Sequence, residues 1–164
     1  YLKCAENPVH FMRKYCTIQH PKKGKLKFDL YEFQEDALKQ LVDNRYNVIL
    51  KARQLGLSTL TAGYSLWMLL FHNDKNILCI ATGKDTAKNM VLKVRVMYQY
   101  LPAWLKTKID EDNKLSLRLA NGSQIKAVAS NESAGRSEAL SLLILDEAAF
   151  IDKIDTIWCW KLLT

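Results

Sequence analysis

No apolar run in the 164-residue chain approaches the roughly 20 residues that a helix needs to cross a bilayer, and the N-terminus lacks the basic-then-apolar layout of a secretory signal. Those absences predict a soluble, intracellular protein without a membrane partner. A paired-cysteine pattern is missing too. Cys4, Cys16, Cys79 and Cys159 are scattered, and two of them sit in apolar stretches where a reduced thiol behaves as a small hydrophobe, so no disulfide framework is expected. The order Cys4, His10, Cys16, His20 lacks the tight ligand pair that anchors zinc sites. Nothing in the composition points to disorder or a fibrous repeat, and 49% hydrophobic residues suffice for one domain with a real core. The chain opens on Tyr1 without a methionine and stops at Thr164 soon after its most informative motif, so it reads as a fragment at both ends.

Acidic residues are outnumbered. Lys and Arg total 24 against 17 Asp and Glu, a net charge of +7, which favours a polyanionic partner such as nucleic acid over a merely solvated basic surface.

Asn7-Pro8 predicts the start of a short helix over 7–16, since Asn caps well and Pro is tolerated in the first turn. A basic, turn-rich connector follows from His20 to Lys25. Apolar residues at 33, 37, 38, 41 and 42 have helical spacing, and 44–46 break it. Val48-Ile49-Leu50 reads as a short buried parallel strand feeding a loop and then a helix from about Ser58 to Phe71, with Leu60, Tyr64, Trp67, Met68 and Phe71 on one stripe. Residues 76–81 predict a second buried strand. Residues 84–101 predict an amphipathic helix with Ala87, Met90, Val91, Val94, Tyr98 and Leu101 inward. Alternation on either side of Asn121-Gly122 marks a hairpin, and 142–145 forms the last strand, ending at Asp146. Strands alternating with helices imply an α/β fold with a mostly parallel sheet flanked by helices, and ligands at the carboxyl ends of its strands.

Two motifs fall at such ends. Lys51-Ala52-Arg53-Gln54-Leu55-Gly56-Leu57-Ser58 occupies the place of a phosphate-binding loop (P-loop, Walker A) before a helix N-terminus whose amides attract phosphate. Gly56 and Ser58 fit the usual pattern, whereas Lys51 replaces its first Gly and Leu57 its Lys. Lys51 and Arg53 are therefore the candidate cations for the phosphoryl charge, Gly56 permits close backbone approach, and the Ser58 hydroxyl is placed for Mg2+. Thr59 completes the nucleotide-binding stretch. A polar strand-to-helix turn is the plain alternative. The second motif, Leu142-Leu143-Ile144-Leu145-Asp146-Glu147, is four aliphatic residues followed by two acids, the Walker B form. Asp146 would hold the magnesium hydration shell and Glu147 would orient and deprotonate the attacking water of an ATP hydrolase. Either motif alone is weak, and the pair is far more specific. Upstream, Gln34 beside Tyr31 suits the edge and face of adenine, with helix-start packing as the alternative. Arg136, in the small-residue stretch 133–137, suits a γ-phosphate or a plain surface.

The chain resembles the N-terminal ATPase domain of the large terminase subunit of tailed bacteriophages, the motor that packages viral DNA. The resemblance rests on Asn7-Pro8 with Phe11 and Tyr15, Ile18-Gln19-His20-Pro21 and Gly24, Phe28 to Gln34, Arg53-Gln54-Leu55-Gly56, and Leu145-Asp146-Glu147-Ala148-Ala149-Phe150. It implies an ASCE-like P-loop fold, truncated at its C-terminal side, over a single domain 1–164, with 1–46 a lead-in carrying the adenine motif and 47–164 the nucleotide-binding core. It also implies ATP and Mg2+ as cofactors, with Lys51 as the phosphate contact, Arg53 in support, Gln34 as adenine sensor and Glu147 as catalytic acid–base. Arg136 matches an arginine that in some terminases reaches a neighbouring subunit's site. Implied partners are double-stranded DNA, further copies in a ring and, for the full-length protein, the portal and small terminase subunit, in the cytoplasm of an infected host cell. The coupling motif and nuclease domain are expected beyond Thr164. A helicase-type P-loop ATPase shares the Gln and Asp-Glu features, and a non-hydrolysing nucleic-acid-binding assembly module is suggested by Leu57.

Overall fold

A computed structural model describes residues 1–20, 22–130 and 139–151. At the N-terminus α1 (Leu2–Glu6) and α2 (Pro8–Tyr15) meet at Asn7, whose carboxamide accepts the His10 amide at 2.9 Å. Pro8 takes the first turn, where its missing N–H leaves no bond unmade. The basic connector is a hairpin of β1 (Thr17–His20) and β2 (Gly24–Lys27). His20 Nδ1 accepts the amides of Lys22 and Lys23 at 3.2 and 3.1 Å, and Gly24 turns the chain at φ 71°.

Helix α3 (Glu32–Asp43) matches the expected periodicity, and α4 (Leu57–Phe71) is buried on almost every side. Then come β3 (Asn76–Ala81), α5 (Lys84–Gln99), a 3-10 turn at Ala103–Leu105, β4 (Ile109–Asn113), β5 (Ser116–Leu119), β6 (Gln124–Ala129) and β7 (Leu142–Leu145). All six inward residues expected for the 84–101 helix are buried.

The main sheet has the order β4-β5-β6-β3-β7. β3 lies parallel to both β6 and β7, whereas the β4–β5 and β5–β6 pairs are antiparallel. The sheet is therefore mixed, not mostly parallel as expected. The tight connections are the cause, because a turn such as Asn121-Gly122, with Gly122 at φ 81°, can join only antiparallel neighbours. A second expectation fails at Val48-Ile49-Leu50. These residues form no strand, and Val48 and Leu50 are 91% and 101% exposed. Three apolar residues need a neighbouring strand to take their N–H and C=O groups, and β7, the last strand in the order, does not pair with them among the described residues.

Alternate residues of β3 serve two cores. Ile77 and Cys79 join α4 and α5 through Leu60, Leu66, Val91 and Val94, while Leu78 and Ile80 meet Ile151 on the other face. Each large aliphatic side chain so buried contributes about 1.5–3 kcal/mol. Polar stitches fix the strand ends. Asn121 Nδ2 donates to the Leu69 carbonyl at 2.8 Å and Ser123 Oγ to the His72 carbonyl at 2.7 Å, locking the β5–β6 turn to the end of α4. Asn76 Nδ2 donates to the Ala139 carbonyl at 3.0 Å and the Asn76 amide to Ser141 Oγ at 3.2 Å, setting the start of β7 beside that of β3.

Candidate nucleotide site

With its start fixed, β7 runs parallel to β3, and the Asp146 amide donates to the Ile80 carbonyl at 3.0 Å as the strand ends. The Asp146 side chain then meets the start of α4, where Ser58 Oγ donates to Asp146 Oδ1 at 3.1 Å across 88 positions of sequence. Both residues are partly buried. A hydroxyl and a carboxylate converging in this way form a pair of hard oxygen donors, the chemistry that suits Mg2+.

The loop before α4 is anchored to the helix at Gly56. Gly56 caps the helix at φ 71°, and its carbonyl accepts the amides of Thr59 and Leu60 at 3.0 and 2.9 Å. The amides of the first helical residues have no intrahelical acceptor and point out of the N-terminus, where an anion is favoured. Gln54 at φ 65° and Glu147 at φ 57° are also left-handed, a conformation costing a non-glycine residue roughly 1–2 kcal/mol. Two of the three left-handed non-glycine residues among those described thus lie in the loops on either side of the Ser58–Asp146 contact, the third being Asp74 before β3.

Lys51, Ala52, Arg53, Gln54 and Leu55 are exposed, and neither Lys51 nor Arg53 has an ion-pair partner among the described residues. Leu57, where the usual pattern has its lysine, is the first residue of α4 and only 7% exposed. An ammonium at that position would be buried in the core, whereas the two cations earlier in the loop, Lys51 and Arg53, are exposed.

Gln34 has a position that sequence reasoning did not foresee. It is 2% exposed, its Nε2 donates to the Leu55 carbonyl at 2.9 Å, and its Oε1 accepts the Tyr31 amide at 3.2 Å. One N–H and one lone pair of the carboxamide remain for any other partner. Gln34 therefore ties the first turn of α3 to the phosphate-loop candidate. Beside it Tyr31 and Phe33 stack with centroids 5.7 Å apart and planes 8° from parallel, both exposed. They form a flat aromatic platform of the kind a base stacks upon.

Cys79 lies on β3 behind the carboxylate, and burial together with the nearby Asp146 charge pushes its thiol up to about 12, despite the opposing pull of Lys93. No sequence motif marked it; an apolar strand paired with the one that ends in Asp146 was the available signal. Arg136 lies outside the described residues, as does Cys159.

The T4likevirus-type family of terminase large subunit N-terminal regions matches residues 48–163, well over half of the chain. The chain belongs to that terminase family. A crystal structure of the large terminase of bacteriophage HK97 resembles the terminase chain with a TM-score of 0.62 over 86% of it, at 19% sequence identity. At that identity the likeness shows the fold, an α/β sheet flanked by helices. The match spans 37% of the HK97 protein, little more than a third of its length.

Proposed function

We propose that this terminase chain is an ATPase domain, a single unit over 1–164 with its adenine motif in 1–46, that hydrolyses ATP to power packaging of double-stranded DNA into procapsids. The observation that carries the reading is the 3.1 Å contact between Ser58 and Asp146, since it joins the phosphate-loop helix to the carboxylate strand. Mg2+ held there would neutralise charge on the transferring phosphoryl group.

The chain's own residues supply the remaining work. Lys51 and Arg53, exposed and unpaired among the described residues, are available to the phosphates, with the α4 amides behind them. Residues 51–59 together form the phosphate cradle, and Tyr31 and Gln34 take the adenine, Tyr31 and Phe33 by stacking and Gln34 by its spare N–H and lone pair. Glu147 is exposed directly after Asp146 and accepts a proton from the attacking water. In this reading Arg136 serves a neighbouring copy in a ring, and duplex DNA, the portal and the small terminase subunit are partners of the full-length protein in the infected cell's cytoplasm. No helix among the described residues is long and apolar enough to cross a membrane.

The burial of Leu57 favours one second reading, a module that binds nucleotide and nucleic acid without turnover. Steady-state hydrolysis at high protein concentration, beside nucleotide binding, separates the two. ATP binding with turnover that Glu147→Gln lowers at least about 100-fold, binding retained, supports the ATPase. Binding without turnover at any concentration rejects it.

A further inference from the structure

Four lysines, Lys22, Lys23, Lys25 and Lys27, lie within six residues of the β1–β2 hairpin. All four are exposed, and none has an ion-pair partner among the described residues. The hairpin packs beside α5, and Lys25 Nζ sits 4.3 Å from the ring centroid of Tyr100 at the end of that helix. The 3-10 turn that follows adds Trp104, 55% exposed, which meets Tyr15 edge-on at 5.4 Å, with Lys14 Nζ 5.7 Å from the Tyr15 ring. Lys106, just after that turn, reaches back to the Gln99 carbonyl at 2.8 Å.

Cations and exposed rings are thus interleaved on one continuous surface, and the stacked lysines are already ordered. The acids nearest in sequence are few. Asp29 is exposed beyond the hairpin, and on β4 the carboxylate of Asp112 is engaged by Arg95 at 2.6 Å while that of Glu111 accepts from Asn113 Nδ2 at 2.8 Å and Ser116 Oγ at 3.2 Å, which leaves Asp110 beside Lys108. Lysines meet phosphates as point charges, and flat rings pack on sugars or bases, a combination an acidic polypeptide does not reward in the same way.

We infer that the hairpin, the end of α5 and Trp104 form a docking surface for the phosphate backbone of nucleic acid, separate from the nucleotide site. The choice of nucleic acid rests on the packaging reading above.

The test measures binding of the whole chain to a short DNA duplex over a range of salt concentrations. The wild type should give a linear fall of log K with log salt. The triple variant Lys22→Gln/Lys23→Gln/Lys25→Gln should lower that slope by about 2–3 and weaken binding at 0.1 M salt on the order of 10- to 100-fold. A control with the same charge removed elsewhere, Lys3→Gln/Lys39→Gln/Lys114→Gln, should keep the wild-type slope. Trp104→Leu should weaken binding and leave the slope unchanged, as expected for a ring contact. A wild-type slope in the hairpin variant, an equal loss in the control, or polyglutamate competing as well as DNA at equal charge would each overturn the assignment. If the wild type binds no duplex at all, the packaging reading falls with it; if it binds and the hairpin variant matches it, only this surface is wrong. ATP binding by the hairpin variant should stay at the wild-type level, reporting that it is folded.

Discussion

Gly56 is where loop conformation and side-chain packing meet, so Gly56→Ala has a cost that can be worked from two separate terms. The backbone sits at φ 71°, and holding an alanine there costs roughly 1–2 kcal/mol. The added Cβ would lie 2.8 Å from Gln34 Nε2, too close to be accommodated without movement. Gln34 would have to give up its 2.9 Å bond to the Leu55 carbonyl, and a buried amide left short of a partner costs about 1–3 kcal/mol. Together the terms amount to about 2–5 kcal/mol, or a fall in Tm of roughly 4–20 °C for a domain of this size. Urea denaturation of the wild type, Gly56→Ala, Gln34→Ala and the double variant separates them. In the Gln34→Ala background the second term disappears, so Gly56→Ala should cost only about 1–2 kcal/mol there. Gly83→Ala is the control, because nothing lies within 4 Å of its added Cβ and its φ is −147°. It should cost no more than about 1 kcal/mol, the loss of an N-cap glycine. A Gly56→Ala variant within about 0.5 kcal/mol of wild type, or one whose cost is the same with and without Gln34, would refute the reasoning.

Two other expectations concern charge. Lys51→Ala should weaken ATP binding more than Arg53→Ala, each read by calorimetric titration; binding that survives the first change and is lost with the second would transfer the main phosphate contact to Arg53. The thiols of Cys16 and Cys79 are pushed above their ordinary 9.0, both by burial and the second also by Asp146. Because the folded state holds those protons more tightly, their contribution is intact below pH 9 and declines as pH rises from 9 towards about 12 for Cys79. Native protein at pH 8 should therefore resist thiol labelling at Cys4, Cys16 and Cys79, all buried, and urea midpoints should fall above pH 9. Rapid labelling of these three at pH 8 without unfolding would contradict their burial.

Much of the architecture was legible in the sequence because local pattern and final packing agree there. The Asn7 cap, the 3.6-residue periodicity of α3 and α5 and the Asn121-Gly122 turn each act through neighbours in sequence, and each was found where expected. The pairing of Ser58 with Asp146 was legible from motif chemistry instead, a hydroxyl opening the helix after a phosphate-loop candidate and a carboxylate ending an apolar strand. What escaped depends on long-range partners. Val48-Ile49-Leu50 has a strand's composition, yet a strand exists only if a neighbour pairs with it. β4, Ile109–Asn113, is polar and exposed at nearly every position, so no hydrophobic alternation announced it. Its register is set by β5, with Arg95 holding Asp112 at 2.6 Å. Likewise Gln34 suggested an adenine contact, and only the fold shows that its carboxamide also holds the Leu55 carbonyl.

The account turns on Ser58 and Asp146 acting together as a metal site for a bound nucleotide. Titrating ATP into wild type and Asp146→Asn, with and without Mg2+, tests this most directly, since the substitution preserves shape and removes the anionic ligand. Magnesium should tighten ATP binding at least about tenfold in the wild type and give no such gain in Asp146→Asn, while metal-free binding is equal or stronger in the variant. An undiminished magnesium gain in Asp146→Asn would contradict the account.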